Sequence, residues 1–254
     1  FVDDTCDVLV LGSGPAGRAV ASLLGANRNL NVVLADQNAD RQFPPNYGVW
    51  QDEWQTIIDK YKSMGVEING GSCGQAVDRK WDVTDCFFGG SFDIPTEERT
   101  RIDRPYDRVD RLALRESLNS KTNNYRIIQA NHISKAIAPN VYDENLVHDA
   151  TGTTIRLRDS NGNLQTVRTK VVVDCTGHET KLVVRDSREP TNGPGFQIAY
   201  GCLVDVEYPE GDSIGPYDKE AMTLFDYRTD HYDDTNETMQ QKVAKGPTFM
   251  YAMP

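Results

Sequence analysis

Near its start the chain reads Asp7-Val-Leu-Val-Leu-Gly12-Ser-Gly14-Pro-Ala-Gly17-Arg-Ala-Val-Ala21, and no other stretch restricts the fold as much. The apolar run Val8 to Leu11 is long enough for a strand buried on both faces. Three glycines follow in the spacing G-x-G-x-x-G. Behind them Ala16, Ala19, Val20, Leu23 and Leu24 recur at steps of three and four, the period of a helix with one buried face. Each glycine has a mechanical use. Gly12 permits the tight turn off the strand, Gly14 lets the backbone approach a diphosphate, and Gly17 lets helix and strand pack closely. The unpaired N–H groups and the positive end of that helix then face the phosphates. Asn31 to Ala35 reads as the next strand and delivers Asp36 where an acid takes a ribose hydroxyl. These parts in register predict a Rossmann-like α/β fold that binds FAD or a nicotinamide nucleotide. Gly12, Ser13, Gly14, Pro15, Ala16, Gly17 and Asp36 are its candidate cofactor residues.

The 254 residues are enough for one large domain or two small ones. A formal net charge of −11 disfavours a phosphate-backbone partner, which sets nucleic acid aside. No apolar run approaches the roughly 20 residues of a spanning helix, which leaves contact with a membrane surface open. Five cysteines without C-x-x-C spacing read as reduced, mostly buried thiols, and the four scattered histidines suggest no metal site. Asn236-Glu-Thr238 has the form of a glycosylation acceptor, but no secretory signal accompanies it. The chain starts close to its first core strand, and Thr248 to Pro254 looks like a strand with nothing after it to pair with. A piece of a longer protein is therefore expected, without its leader.

Further along, Trp54, Ile57, Ile58 and Tyr61 give an amphipathic helix over residues 52–64, and residues 67–80 read as loop or loose hairpin. Trp81 to Phe88 looks like a strand. Arg101 to Leu118 is dense in arginine, with Asp110 as N-cap of a helix through Leu112, Leu114 and Leu118. Arg111 either belongs to a solvated basic face or reaches the cofactor from the mouth of that helix. Residues 126–137 and 146–157 alternate like strands, and Asp159-Ser-Asn-Gly162 is a hairpin turn. Val171-Val-Val-Asp174-Cys-Thr-Gly177 reads as a buried parallel strand whose exit is either an ordinary turn or a second approach to the cofactor. Residues 195–206 and 222–227 read as strands. The layout is a nucleotide-binding part in two segments, 1–66 and 99–182, a substrate-side insertion at 67–98, and the start of an antiparallel substrate-side sheet at 183–254.

Several segments together resemble the plant and algal lycopene cyclases, flavoproteins that close the end rings of carotenoids. The resemblance spans nearly the whole chain. It rests on Gly12-Ser-Gly-Pro-Ala-Gly17, Asn46-Tyr-Gly-Val-Trp50 with Asp52-Glu53, and Arg104-Pro-Tyr-Asp-Arg-Val-Asp-Arg111. It continues in Asp174-Cys-Thr-Gly177, Pro194-Gly-Phe-Gln-Ile-Ala-Tyr-Gly201, Asp226-Tyr-Arg228 and Pro247-Thr-Phe-Met-Tyr-Ala-Met-Pro254. Two departures stand out: the family's Tyr-Gly-Arg-Val is here Tyr106-Asp-Arg-Val109, and its Asp-Trp-Arg-Asp is Asp226-Tyr-Arg-Thr229. The family's Phe-Leu-Glu-Glu-Thr segment, whose glutamate is taken as the main catalytic acid, would lie beyond Pro254.

The resemblance implies an isomerisation in which a terminal alkene of lycopene is protonated, the cation attacks an internal double bond, and a proton leaves. It implies reduced FAD with NADPH as reductant, β-ring closure as the leading product, and a plastid membrane surface, since the substrate is dissolved in lipid. Protonating an alkene needs a carboxylic acid kept neutral by burial, and the cation needs fixed negative charge in a dry pocket. Glu53, Asp52 and Asp226 are the carboxylates in family motifs, candidates for secondary catalytic or orienting groups, with solvated or capping acids as the alternative. Tyr47 and Trp50 either present aromatic faces to the cation or belong to the core. Arg111 and Gly177 gain a place against FAD. Two alternatives remain. One is a flavin-dependent monooxygenase, disfavoured because no Asp-Gly pair occurs in the chain. The other is a non-catalytic flavin-binding paralogue. The 254-residue piece alone is expected to be inactive.

Overall fold

The computed structural model describes residues 2–93, 99–133, 143–177, 182, 198–206, 213–214, 216–230, 238, 241–242, 245–246 and 248–254. In chain order the elements begin with β1 (Asp4–Leu11), α1 (Pro15–Gly25), β2 (Val32–Ala35), β3 (Tyr47–Trp50) and α2 (Gln51–Ser63). They continue with β4 (Val77–Trp81), β5 (Val83–Phe87), β6 (Thr100–Ile102), β7 (Tyr106–Val109), α3 (Arg111–Ser117) and α4 (Ser120–Asn123). Then come β8 (Arg126–Ile128), β9 (Ala130–His132), β10 (Leu146–Asp149), β11 (Gly152–Asp159) and β12 (Leu164–Asp174). The last are β13 (Ser213–Ile214), β14 (Tyr217–Asp218), β15 (Ala221–Asp226) and β16 (Met250–Ala252). Two compact units result: Phe1–Pro45 with Ile57–Ala76 and Asp110–Ile198, and Asn46–Thr56 with Val77–Val109 and Ala199–Pro254.

The first unit holds a sheet in the order β10-β11-β12-β1-β2-β8, with β9 paired to β11. Its centre is parallel: Leu9 lies beside Val172 on one side and Val33 on the other. Burial on both faces explains why these strands are continuous apolar runs. Leu9, Val33, Ile155, Leu157 and Val167 fill one core, and Val10, Val32, Leu34, Ala21 and Tyr125 another. The strand expected at 171–174 and the hairpin return before it are one element. The start of β12 pairs antiparallel with β11, and its later part runs parallel to β1. Val171 is half exposed rather than buried.

Helix α1 corrects a finer expectation. Its buried residues are Gly17, Arg18, Ala21, Ser22 and Gly25, not the stripe of larger apolar residues, of which Val20 and Leu24 pack only partly. The helix lies so close to its neighbours that small residues must face inward. A Cβ on Gly25 would collide with the Asn123 carbonyl, and Ser22 Oγ donates to Leu118 O at 3.3 Å. Helix α3 starts as expected, with Asp110 Oδ1 accepting from the N–H groups of Leu112 and Ala113, both at 3.0 Å. Leu112, however, is exposed.

The second unit contains the three-stranded sheet β3-β7-β4 and the four-stranded sheet β16-β15-β5-β6. Residues 67–80 read as loop or loose hairpin with a strand starting at Trp81, and the structure joins Val77–Trp81 in one element, β4. It is a strand because β7 supplies a full antiparallel partner, with Trp81 beside Tyr106. The strand expected at 81–88 is split at Asp82, and 198–206 is irregular and exposed instead of extended pairing; residues 195–197 lie outside the described part. The Tyr-Ala-Met end does find a partner: β16 pairs antiparallel with β15, and Met253 packs on the core of Trp81, Tyr106 and Met222. All five cysteines are free thiols, Cys6 and Cys86 buried, Cys73 and Cys202 exposed.

Leu9 is fully buried in the first core. Leu9→Ala is expected to cost about 2–5 kcal/mol of unfolding free energy, through lost apolar contact and the residual cavity. A urea titration followed by far-ultraviolet circular dichroism checks it.

Candidate functional site

Strand order places β1 between β2 and β12, so the chain turns opposite ways from one point, and ligands of open α/β sheets bind outside the carboxyl ends of such strands. Gly12 leaves β1 at φ +98°, a left-handed conformation suited to glycine, and its N–H donates to Ala35 O at 2.9 Å. A Cβ there would strike the Cys175 carbonyl, and one on Gly17 would strike the carbonyl of Gly12. Gly14 differs: a Cβ would meet nothing within 4 Å. Gly14 also forms the N-cap of α1 with no side-chain cap and no acid in the first turn, so the positive helix end is uncompensated. Pro15 has no N–H to satisfy, while Gly14 and Ala16 are exposed. The residues present thus fit a diphosphate: tight where strand and helix must touch, open where phosphate oxygens would lie. Thr176 closes onto Asp174 Oδ1 through N–H (3.0 Å) and Oγ1 (2.6 Å), and Gly177 follows at φ +86°, exposed.

Asp36 stands at the end of β2 as expected, but its carboxylate already has partners. Oδ2 accepts from the Ser13 N–H (2.7 Å) and hydroxyl (2.9 Å), and Oδ1 from the Asn38 N–H (2.7 Å). A carboxylate offers about four acceptor positions, so one is left for a ribose hydroxyl. Arg111 donates to Pro44 O at 2.6 Å, anchoring the loop after β2.

In the second unit the two aromatic candidates are not brought together. Tyr47 and Trp50 are three apart on β3 and so project from opposite faces. Trp50 meets Tyr106 edge-on, with centroids 4.9 Å apart, and carries the Arg104 guanidinium over its ring at 4.3 Å. Arg104 also holds both candidate acids, Asp52 at 3.0 Å and Glu53 at 2.7 Å. Those carboxylates are about two-thirds exposed, at 67% and 63% of the side chain. One face of Trp50 is therefore already covered by a cation, and Asp52 and Glu53 lack the burial that would keep a carboxylic acid neutral.

Asp226 is buried, yet it is bidentate to Arg228, both links 2.8 Å, with each side chain 2% exposed. Burial, the largest single influence, pushes its carboxyl up. The Arg228 hydrogen bonds and charge, with the Tyr217 hydroxyl, outweigh it and leave the group below its ordinary value. Arg228 is in turn sandwiched by Phe87 (3.5 Å) and Phe92 (4.9 Å). Asp226 is a locked anion, suited to orienting and not to giving up a proton.

Sequence reasoning passed over Asp107. It is 1% exposed on β7, flanked by Val49 and Lys80 on the adjoining strands, and its hydrogen bond comes from Gln51 Nε2 at 3.3 Å. Burial pushes its carboxyl up, against the Lys80 charge and the Gln51 bond. It shares a face of the sheet with Tyr47 through the pairs Tyr47–Val109 and Val49–Asp107. The available signal was an acid standing where the resembling family has glycine. Across the other face, the Tyr106 and Tyr251 hydroxyls meet at 2.7 Å. Burial first, then that hydroxyl, pushes the Tyr251 phenol up and keeps it protonated.

A family model described as lycopene cyclase protein matches residues 7–254. The lycopene beta cyclase of Capsicum annuum is 30% identical over 254 residues, covering 98% of this chain and 41% of that protein. That of Narcissus pseudonarcissus is 31% identical with the same two coverages, and the capsanthin/capsorubin synthase of Citrus sinensis is 29% identical. The chain thus spans about two-fifths of the length of these relatives. Among solved structures, p-nitrophenol 4-monooxygenase from Pseudomonas putida superposes with a TM-score of 0.50 at 14% identity, over 70% of this chain and 42% of that one. At that identity the likeness concerns the fold, the Rossmann-like arrangement derived above.

Two outcomes follow from this geometry. Gly17→Ala is expected to destabilise the protein by about 1–3 kcal/mol through overpacking. Gly14→Ala, with open space and φ −64°, costs about 1 kcal/mol or less as a weaker N-cap, but weakens dinucleotide binding at least tenfold; thermal melts and flavin titrations separate the two. The second concerns pH. A folded-state carboxyl raised above its unfolded value contributes stability below the unfolded value and loses it as pH rises through the folded one. Asp107→Asn removes that titration while keeping the shape. The wild-type urea midpoint should therefore decline more than the variant's as pH rises above about 4.

Proposed function

The chain belongs to the lycopene cyclase family, and we propose that the intact protein closes an end ring of lycopene, with the β-ring as product. The observation that carries this reading is the family match from residue 7 to the last residue. The glycine cradle supports it with a place for a flavin dinucleotide. In this reading Gly12, Ser13, Gly14, Pro15, Ala16 and Gly17 hold the diphosphate against α1, Asp36 takes a ribose hydroxyl, and Gly177 offers a side-chain-free approach at the end of β12. When bound, reduced FAD supplies fixed negative charge for a carbocation, with NADPH as its reductant and no net gain or loss of electrons.

The chain's own residues set the rest. Burial pushes the Asp107 carboxyl up, against the Lys80 charge and the Gln51 hydrogen bond, which suits it to a secondary role in holding or moving a proton. Tyr47 on the same sheet face supplies an aromatic surface that tolerates positive charge. Trp50 and Tyr106 exclude water from the other face, and Asp52 and Glu53 hold Arg104 in place over Trp50. Asp226 orients through Arg228 and keeps its charge. The main acid for alkene protonation is assigned to the family's Phe-Leu-Glu-Glu-Thr segment in the intact protein. Among the described residues no helix is long and apolar enough to cross a membrane. A lipid-dissolved substrate, and relatives named as chloroplastic and chromoplastic, support work at a plastid membrane surface.

Expression of the complete reading frame in a lycopene-accumulating bacterial host tests this. The expected pigment is β-carotene, isomeric with lycopene, and preformed unlabelled lycopene converted by membranes of that host in heavy water should gain one solvent-derived deuterium per ring. An oxygenated product formed with NADPH consumption would establish the monooxygenase alternative instead, and unchanged lycopene in cells holding folded, flavin-loaded protein would leave a binding paralogue.

A further inference from the structure

Three guanidinium groups in the first unit point at one loop. Arg18, from α1, donates through Nη2 to Ala39 O. Arg115 Nη2 donates to Asp40 O at 2.9 Å and Arg111 Nη1 to Pro44 O at 2.6 Å, both from α3. Arg18 is 2% exposed, and its Nη1 reaches the Tyr125 hydroxyl at 3.1 Å, which itself donates to Leu118 O at 2.6 Å. Among the described residues no carboxylate pairs with Arg18 or Arg111, and the approach of Arg115 to Asp40 Oδ1 is long, 3.9 Å. The Nε atoms of Arg18 and Arg115 are buried and lack a partner. Surplus positive charge with orphaned donors is unusual inside a protein and calls for a ligand-linked reason.

We propose that Arg18, Arg111 and Arg115 act as positioning residues that clamp the loop of residues 37–45 by its carbonyls and so preorganise the site for the adenosine diphosphate end of the dinucleotide. The inference rests on the cofactor reading of the glycine cradle. The loop begins directly after Asp36, whose carboxylate is bonded to Ser13 of the cradle, so one end is tied to the phosphate turn and the rest to the two helices. A loop fixed before the ligand arrives spares the ordering entropy that binding would otherwise cost.

Arg115 is the test position, because it is partly exposed and its loss leaves the Arg18 network intact. In the intact protein, Arg115→Gln should weaken ADP and FAD in parallel by about tenfold, measured by calorimetry and flavin fluorescence. It should also speed trypsin cleavage after the exposed Arg41 in the unliganded protein, with added ADP suppressing that cleavage. Arg115→Lys, which keeps a donor toward Asp40 O, should recover part of both effects. If the wild type binds both ligands and Arg115→Gln binds them equally well with unchanged cleavage, the clamp is overturned and the cofactor reading stands. A variant whose thermal midpoint falls in step with its affinity, without lysine rescue, also overturns it, as a merely structural role. A folded wild type that takes up neither ADP nor FAD overturns the cofactor reading and the clamp with it.

Discussion

The contact between the first turn of α1 and the end of β1 is the constraint on which the first unit depends. Gly12 and Gly17 touch there with no room for a methyl group, and the Cys175 carbonyl closes the third side. That approach aims the uncapped helix end at the carboxyl edge of the parallel strands and obliges the inward face of α1 to be small. It also leaves Gly14 alone with free space. The same backbone geometry therefore makes a tight core on one side and an anion cradle on the other, which is why the three glycines cannot trade places.

Charge is the second organising term. The acids outnumber the bases, yet the buried charges of most consequence in the described protein are arginines. Arg228 is neutralised by Asp226 through Nε and Nη2 and covered by two aromatic rings, an arrangement that fixes the end of β15. Among the described residues Arg18 has carbonyl and hydroxyl partners and no carboxylate, so its charge is solvated by dipoles.

The glycine turn, the first two strands, the Asp110 cap and the β11–β12 hairpin were legible because each is a local device with a residue-specific cause. What escaped reading depends on partners distant in sequence. Val77-Asp-Arg-Lys-Trp81 has too many polar residues to announce a strand, and only its pairing with β7 makes it one. The inward face of α1 was misplaced because size, not apolarity, decided it. Tyr47 and Trp50 looked like a pair until strand alternation sent them to opposite faces. The Asp226–Arg228 pairing was within reach, since residues two apart on an extended chain project to one side, but their burial was not.

The carboxylates show most clearly how environment separates residues of one type. Asp52 and Glu53 carry the family motif but lie largely in solvent and share one arginine. Asp226 is buried, and a bidentate arginine reverses what burial would do. Asp107 is buried beside the Gln51 amide and paired across strands with Lys80, and burial outweighs both, so the balance falls the other way. Three environments thus yield a solvent-exposed pair on one arginine, a locked anion and a buried carboxyl that is pushed up. The last stands where the sequence reads Tyr106-Asp-Arg-Val109 against the Tyr-Gly-Arg-Val of the family it resembles. A glycine would contribute neither charge nor proton there. Retaining a carboxyl in that place costs desolvation, which pushes the group up, while the Lys80 charge and the Gln51 hydrogen bond act against that rise.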